Sequence, residues 1–282
     1  MSAASPPPAP PRGALERHHF LLRRLHSLTG IVPIGVFLVA HLVTNSSLIW
    51  GKAGLRGAHP ELGWLDGGIA YFAEEVRWIN TQVPHLLLVE IVLWVSIAFH
   101  AGLGVLYARS GRNNVARYAY GGNRRYAAQR LTGYVAIAFI FYHVATLRWG
   151  WTFLVPGGTH WSAEFAGSTL AAAIKGGQAG WTLMGVGVAL LYFVGVSATV
   201  FHFANGLWTA AITWGLTIST GAQRRWGYAC LAMGAALMLA GWSSLAGALM
   251  MDPASAARVE AMVGAPAGPG ARQADAPTHV AP

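Results

Sequence analysis

The stretch Leu28-Thr29-Gly30 through Ala40-His41 decides the fold, because it is an apolar run that ends in a histidine and occurs twice in the chain. The second copy begins at Leu131-Thr132-Gly133 and reaches His143 ten residues after its glycine, whereas His41 lies eleven residues after Gly30. A repeated apolar run of this length predicts two corresponding helices.

A second element is repeated with the same order. Phe99-His100 recurs as Phe201-His202, and each histidine is followed four residues later by a glycine. From His41 to His100 is 59 residues, and from His143 to His202 is 59 again. The sequence therefore predicts a duplicated two-helix unit in which each copy carries two histidines.

The composition predicts an integral membrane protein. Of the 282 residues, 54% are hydrophobic and only 10% are charged, too few to solvate a globule of this size. Runs of about twenty apolar residues are long enough to cross the bilayer. Such runs lie near 27–49, 84–108, 130–150, 181–212 and 226–250. We expect an all-α fold with five transmembrane helices over residues 17–251, between disordered tails at 1–16 and 252–282.

The placement of the charges predicts the orientation in the membrane. Segments 1–26, 109–130 and 216–225 contain four, six and two arginines and one acid, Glu16, although the whole chain has a net charge of +9. This asymmetry is typical of cytoplasmic loops and argues against nucleic-acid binding. We expect a cytoplasmic N-terminus and an external C-terminus. The basic segment before helix I suits lipid phosphates or, as the less favoured alternative, an acidic partner surface. The N-terminal stretch has no apolar core typical of a cleavable signal peptide.

Helical rise pairs the histidines by depth. His41 lies fourteen residues beyond Ser27, and the helical rise places it about 21 Å into the membrane, with His143 at about 20 Å from Arg130. His100 lies nine residues before Arg109, or about 14 Å from the inner edge. His202 matches His100 by the repeat. The predicted pairs are therefore His41 with His143 on the outer side and His100 with His202 on the cytoplasmic side.

Two opposed imidazoles inside an apolar helix bundle can hold a b-type haem. The first four helices are thus predicted to form a duplicated haem-binding bundle with two haems, suited to electron transfer because both axial positions would be filled. The single cysteine, Cys230, and the lack of a Cys-x-x-Cys-His motif exclude covalent c-type attachment. Gly104 and Gly206 would leave room for a porphyrin edge, although glycine is also common where membrane helices pack.

Three other interpretations stay open. Zinc is a weaker alternative for these sites, because two histidines leave the ion under-coordinated. A histidine-lined transporter or a purely structural anchor would be a different class of function.

Glu90 lies about 15 Å outward from His100 by helical rise. It is either a quinone or proton site on the outer side, or a carboxyl that is hydrated or paired with Arg148.

The loops outside the membrane are predicted from composition. The stretch from Gly63 to Trp78 is expected to form an interfacial amphipathic helix with wet carboxylates. Trp149 and Trp151 are typical of an interfacial belt. The segment between helices III and IV reads as a loop, and helix V as a packing helix.

Four motifs together closely resemble the dihaem cytochrome b558 membrane subunits of bacterial succinate dehydrogenases, and they are also similar to the cytochrome b subunits of dihaem fumarate reductases. These motifs are Arg23-Arg24-Leu25-His26-Ser27-Leu28-Thr29-Gly30, Phe99-His100, Gln129-Arg130-Leu131-Thr132-Gly133 and Phe201-His202-Phe203-Ala204-Asn205-Gly206-Leu207-Trp208. The resemblance implies a subunit of a respiratory enzyme of the tricarboxylic acid cycle, bound to an iron–sulfur subunit and a flavoprotein. Electrons would pass through two haems b to a quinone, most consistently menaquinone, and this chain alone would catalyse only quinone reduction.

The resemblance also implies roles for individual residues. The axial ligands of the haem iron would be His41 with His143 and His100 with His202, the same pairs that depth predicts. Contacts to haem propionates or to quinone would come from residues at the cytoplasmic ends of helices I and III, namely His26, Ser27, Gln129 and Arg130. Some related fumarate reductases have a glutamate two residues before the fourth histidine, where this chain has Val200. Alternatives are fumarate reduction in the opposite direction, or an anchor for another quinone-linked dehydrogenase.

Overall fold

The computed structural model describes residues 17–82, 86–110, 115–118 and 121–264. This part of the chain is helical and contains no strand, as predicted. The helices are, in chain order, α1 (His19–Ile31), α2 (Pro33–Gly54), α3 (Trp64–Gln82), α4 (Leu86–Ser110), α5 (Gly121–Leu147), α6 (Ala166–Lys175), α7 (Leu183–Thr213), α8 (Thr220–Met250) and α9 (Pro253–Gly264).

Five spans within the described residues are long and apolar enough to cross a membrane, which confirms the predicted number. The first runs from α1 through α2, and the others are α4, α5, α7 and α8. Large apolar side chains on their surfaces are exposed, for example Leu183 at 89% and Leu87 at 70%. Such surfaces suit lipid rather than water.

The first span is interrupted where the repeat has its additional residue. The N–H of Val32 still donates to the carbonyl oxygen of Leu28 at 2.9 Å. Pro33 begins the next helix and has no N–H to continue the ladder. The interruption lies between Gly30 and His41, whereas the corresponding part of α5 is continuous. The eleven-residue spacing in the first copy, against ten in the second, thus coincides with this break.

Helix α5 begins at Gly121 rather than near residue 130. Arg124, Arg125 and Arg130, which were predicted to lie in a cytoplasmic loop, or at its end, are therefore on the helix. The prediction was wrong because apolarity marks only the membrane-spanning part. The preceding segment is polar but rich in good helix formers.

The chain divides into two compact units, each assembled from three separate segments. The first unit consists of the described residues within 1–40, 87–137 and 197–238, and it contains His100 and His202. The second consists of the described residues within 41–86, 138–196 and 239–282, and it contains His41 and His143. Each unit therefore contains one of the predicted histidine pairs.

Three helices outside the spans, α3, α6 and α9, pack together in the second unit. The segment of α6 was predicted as loop and that of α9 as part of a disordered tail, and both predictions were wrong. The tails 1–16 and 265–282 lie outside the described residues. Glu260 explains the packing, since its carboxylate accepts from the N–H of Gly167 at 2.6 Å and the hydroxyl of Ser168 at 2.5 Å. The carboxylate supplies acceptors for donors at the start of α6 that would otherwise be unsatisfied. Glu260 lies too far along the chain for a local sequence pattern to predict this contact.

Two further contacts hold α9 in place. The amine of Lys175 donates to the carbonyl oxygen of Met251, and the guanidinium of Arg77 donates to that of Val263 at 3.1 Å. The predicted helix over residues 63–78 is observed as α3, with Trp64 and Trp78 about equally exposed, at 61% and 60%.

Candidate functional site

His100 on α4 and His202 on α7 face each other, with ring centroids 6.1 Å apart and ring planes at 85°. The Nδ1 atom of His100 lies 2.8 Å from the backbone oxygen of His26, and Nδ1 of His202 lies 3.0 Å from that of Gln129. Because a carbonyl oxygen can only accept, each Nδ1 carries a proton. Each ring, when neutral, thus presents an unprotonated Nε2, the tautomer of a metal-binding histidine supported by a carbonyl.

Gly30 and Gly133, the glycines of the repeated Leu-Thr-Gly, make room for these two rings. A Cβ atom at Gly30 would lie 2.8 Å from Nδ1 of His100. One at Gly133 would lie 3.0 Å from Cε1 of His202. The sequence showed both glycines as landmarks of the repeat, but their role as contact surfaces for the histidines was missed. The signal was their presence at the same place in both copies.

His41 and His143 form the corresponding pair in the second unit. Their ring centroids are 5.7 Å apart and their planes are at 81°. Nδ1 of His143 lies 3.3 Å from the hydroxyl of Tyr192, and Nδ1 of His41 lies 3.4 Å from the amide nitrogen of Asn45. A tyrosine hydroxyl can donate or accept, and an asparagine amide offers either function according to its orientation. Side chains rather than backbone carbonyls therefore face these ring nitrogens.

Aromatic rings enclose this second pair. The rings of Phe139 and Tyr192 lie 5.8 and 5.7 Å from that of His143. Both aromatic residues are buried, and their own centroids are 5.3 Å apart. His143 thus lies against two buried aromatic rings, one of which carries a hydroxyl.

Two of the predicted contact residues touch the histidines of the first unit. The ring of His26 stacks on that of His100, with centroids 4.1 Å apart and planes at 13°. The side-chain amide of Gln129 donates to the backbone oxygen of His202 at 3.0 Å. Gln129 and His202 are therefore joined by two hydrogen bonds, one in each direction.

Ser27 and Arg130, the other two predicted contact residues, bind protein groups. The indole N–H of Trp214 donates to the hydroxyl of Ser27 at 2.8 Å. The guanidinium of Arg130 donates to the backbone oxygen of Ala108 near the end of α4. Their predicted contacts to a cofactor or quinone stay predictions.

Gly104 and Gly206 lie against the same two contact residues. A Cβ at Gly104 would be 3.3 Å from Nε2 of His26, and one at Gly206 would be 3.4 Å from Nε2 of Gln129. The space that these glycines leave therefore borders His26 and Gln129, and their predicted contact with a porphyrin edge stays untested.

The hydroxyl of Tyr107 and Nε of Arg24 are buried, and neither has a hydrogen-bond partner among the described residues. The ring of Tyr107 lies 5.7 Å from that of His26, which stacks on His100. Buried donors of this kind normally have an acceptor. A carboxylate bound beside Tyr107 would satisfy its hydroxyl.

The acidic residues have different surroundings. Glu90 is half-buried on α4, and its predicted role in quinone or proton chemistry stays a prediction. Glu75 was predicted to be wet, but its Oε2 is buried and has no hydrogen-bond partner in the described part of the chain. Burial raises the pKa of this carboxyl, although a hydrogen bond with the Ser47 side chain lowers it. Its neighbour Glu74 is exposed. The hydrophobic periodicity of this segment does not distinguish the buried Glu75 from the exposed Glu74.

The ring separations fit a metal that bridges two imidazoles. Metal–nitrogen bonds of about 2 Å on opposite sides of one ion would put the ring centroids about 6 Å apart. Among the described residues no group of three or more histidine, cysteine, aspartate or glutamate side chains could hold a metal. Each pair would thus supply two ligands, the number that a six-coordinate haem iron needs from the protein.

No protein-family model matches this chain, and no solved structure matches it. The chain is 30% identical over 227 residues to the succinate dehydrogenase cytochrome b558 subunit of Bacillus subtilis (strain 168). The match covers 80% of this chain and 95% of that relative. The chain therefore belongs to the succinate dehydrogenase cytochrome b558 subunit family.

Proposed function

We propose that this chain is the membrane anchor and electron-transfer subunit of a succinate:quinone oxidoreductase and binds two haems b. The observation that carries the proposal is that two histidine pairs on duplicated helices have centroid separations of 6.1 and 5.7 Å. Each haem, when bound, supplies a one-electron carrier in the apolar interior. The protein side chains would bind and orient the haems.

His100 and His202 would hold one haem and His41 and His143 the other. The backbone carbonyls that accept from His100 and His202 fix the tautomer in which Nε2 can bind iron. The buried donors of Tyr107 and Arg24 match the carboxylates of haem propionates. His26, Ser27, Gln129 and Arg130 remain the other candidates for propionate or quinone contacts.

The charge distribution supports the orientation. Arginines concentrate in segments 1–26, 109–130 and 216–225, so we propose that these face the cytoplasm, with the C-terminus outside. An iron–sulfur subunit joined to a flavoprotein would dock on this cytoplasmic face. Electrons would leave to menaquinone on the opposite side, where Glu75 and Glu90 are candidates for proton exchange.

A reduced-minus-oxidised spectrum of the purified complex, with a haem assay per chain, tests this proposal. We expect two b-type haems per chain, both reduced by succinate when the partner subunits are present. A chain that carries no haem would overturn the proposal. Haem that succinate cannot reduce would favour an anchor for another dehydrogenase.

A further inference from the structure

We propose that Arg125, Asn205 and Gln129 form a polar relay that positions His202 and tunes the haem it would hold. The inference rests on the proposed function, because it needs His202 to be an iron ligand. None of the three residues is assigned to touch the iron. They act through His202 and are positioning residues.

The relay consists of consecutive hydrogen bonds. Nε of Arg125 donates to the side-chain oxygen of Asn205 at 3.0 Å, and the amide of Asn205 donates to the side-chain oxygen of Gln129 at 2.7 Å. The amide of Gln129 then donates to the backbone oxygen of His202 at 3.0 Å, while Nδ1 of His202 donates to the backbone oxygen of Gln129 at 3.0 Å. Every polar atom of the Asn205 and Gln129 side chains thus has a partner in the chain.

Arg125 gives the relay a direction. Its guanidinium carries a permanent charge, lies 4.0 Å over the ring of Trp208, and can only donate. A charged donor polarises the amide that it binds, and hydrogen-bonded amides in series strengthen one another in an apolar environment. Asn205 is only 5% exposed, so the effect passes through a buried residue.

The relay is present in only one copy of the repeat. Four residues before the repeated glycine, the first copy has His26 and the second has Gln129. Three residues after the repeated Phe-His, the first copy has Leu103 and the second has Asn205. Leu103 is buried and apolar. His100 therefore donates to a backbone carbonyl as His202 does, but Leu103 cannot form the hydrogen bonds that join Asn205 to Arg125 and Gln129. The relay is thus specific to His202.

The test compares Arg125→Gln and Asn205→Leu in the intact complex, with Arg124→Gln as the matched control. Arg124 is the preceding exposed arginine on the same helix. The readouts are the midpoint potentials of the two haems and the EPR spectrum of the oxidised protein, whose g values depend on the orientation of the axial imidazoles. Asn205→Leu breaks the relay without changing the charge.

We expect Arg125→Gln to lower the midpoint potential of the haem at His100 and His202. The equilibrium constant for its one-electron reduction should fall about three- to tenfold, where tenfold corresponds to about 59 mV. Asn205→Leu should act in the same direction and alter the EPR spectrum of that haem. The other haem should not change, and Arg124→Gln should change neither. If Arg125→Gln retains both haems with unchanged potentials and spectra, the relay is overturned. A wild-type complex without haem would instead overturn the proposed function.

Should Asn205→Leu fail to assemble, Asn205→Ala removes the acceptor for Arg125 and the amide donor to Gln129 without adding charge or bulk. A shift of the haem potential beyond that of the control would then support the relay. Unchanged potentials in both Arg125→Gln and Asn205→Ala would overturn it.

Discussion

The two histidine pairs are held by different kinds of chemical group. At His100 and His202, backbone carbonyls accept from both Nδ1 atoms. At His41 and His143, the side chains of Asn45 and Tyr192 lie 3.4 and 3.3 Å from the Nδ1 atoms. The duplication has preserved the spacing of the histidines and not the groups that support them.

This difference has a physical consequence. A carbonyl on a helix cannot rotate or become a donor, so the helices themselves fix the tautomer of the first pair. The Tyr192 hydroxyl beside His143 can donate or accept, so the tautomer of that ring depends on the orientation of a side-chain group. We therefore expect the first pair to respond most to changes in helix packing and the second to changes in single side chains.

Replacing any of the four histidines by alanine should have the largest effect on haem binding by the two pairs. His100→Ala or His202→Ala should remove one haem and leave the other, and His41→Ala or His143→Ala should do the reverse, because one protein ligand cannot complete a six-coordinate iron. Difference spectra and haem content measure the loss. His59→Ala, in the loop between α2 and α3, is the control. Losses that followed the pairs 41/100 and 143/202 would contradict the assignment.

Alanine at the repeated glycines tests whether packing controls the first pair. In Gly30→Ala the new Cβ would meet the ring of His100, and in Gly133→Ala that of His202 at a slightly greater distance. Overpacking typically costs about 1–3 kcal/mol. We therefore expect the affinity of this pair for its haem to fall roughly tenfold in Gly30→Ala, with a smaller decrease in Gly133→Ala. Haem retention under detergent titration measures it.

The control for both glycine variants is Gly102→Ala, because a Cβ at Gly102 meets nothing within 4 Å. Equal haem loss in Gly30→Ala and Gly102→Ala would contradict the packing explanation. Loss of the haem at His41 and His143 instead would contradict the separation of the two pairs.

The sequence predicted the membrane fold and the positions of the four histidines because apolar runs and fixed spacing are local signals. The five runs are all observed as helices that are long and apolar enough to cross a membrane. Gly30 and Gly133 stood in the same motifs, yet their contact with histidine rings depends on which helix packs against which. Spacing within one helix contains no such information.

Helices α6 and α9 were not predicted for a related reason. Both helices are short, and most of the stability of a short helix comes from packing rather than from its own sequence. The carboxylate of Glu260 binds the start of α6 from 92 residues away. The same holds for Glu75, whose burial depends on the packing of α3 and which had appeared equivalent to Glu74.

Tyr192→Phe tests the side-chain support of the second pair. It removes the hydroxyl beside Nδ1 of His143, and a neutral hydrogen bond contributes about 0.5–1.5 kcal/mol net. We expect the haem at His41 and His143 to remain, with its redox equilibrium shifted by about two- to tenfold. Redox titration followed at each haem measures the shift. Tyr142→Phe is the control, since its hydroxyl binds the backbone oxygen of Leu154. An equal shift at both haems would contradict a local support.

The smallest effect should come from Glu260, which supports only the helices outside the spans. Burial raises the pKa of this carboxyl even though Ser168 and Gly167 donate to it. The folded state therefore holds the proton more firmly than the unfolded state, so stability is lost as the pH rises from the unfolded pKa through the folded one. Amide exchange in α6, corrected for its intrinsic pH dependence, should show opening over that interval.

Glu260→Gln should abolish this pH dependence, because the amide does not titrate, although its NH₂ group can no longer match every donor at the start of α6. Glu164→Gln, at an exposed position before α6, should retain the dependence of the wild type. Both variants should leave the haem at His100 and His202 unchanged, since Glu260 belongs to the second unit. A pH dependence that survives in Glu260→Gln would assign the titration to another group, and a changed spectrum at His100 and His202 would mean that the two pairs are not separately supported.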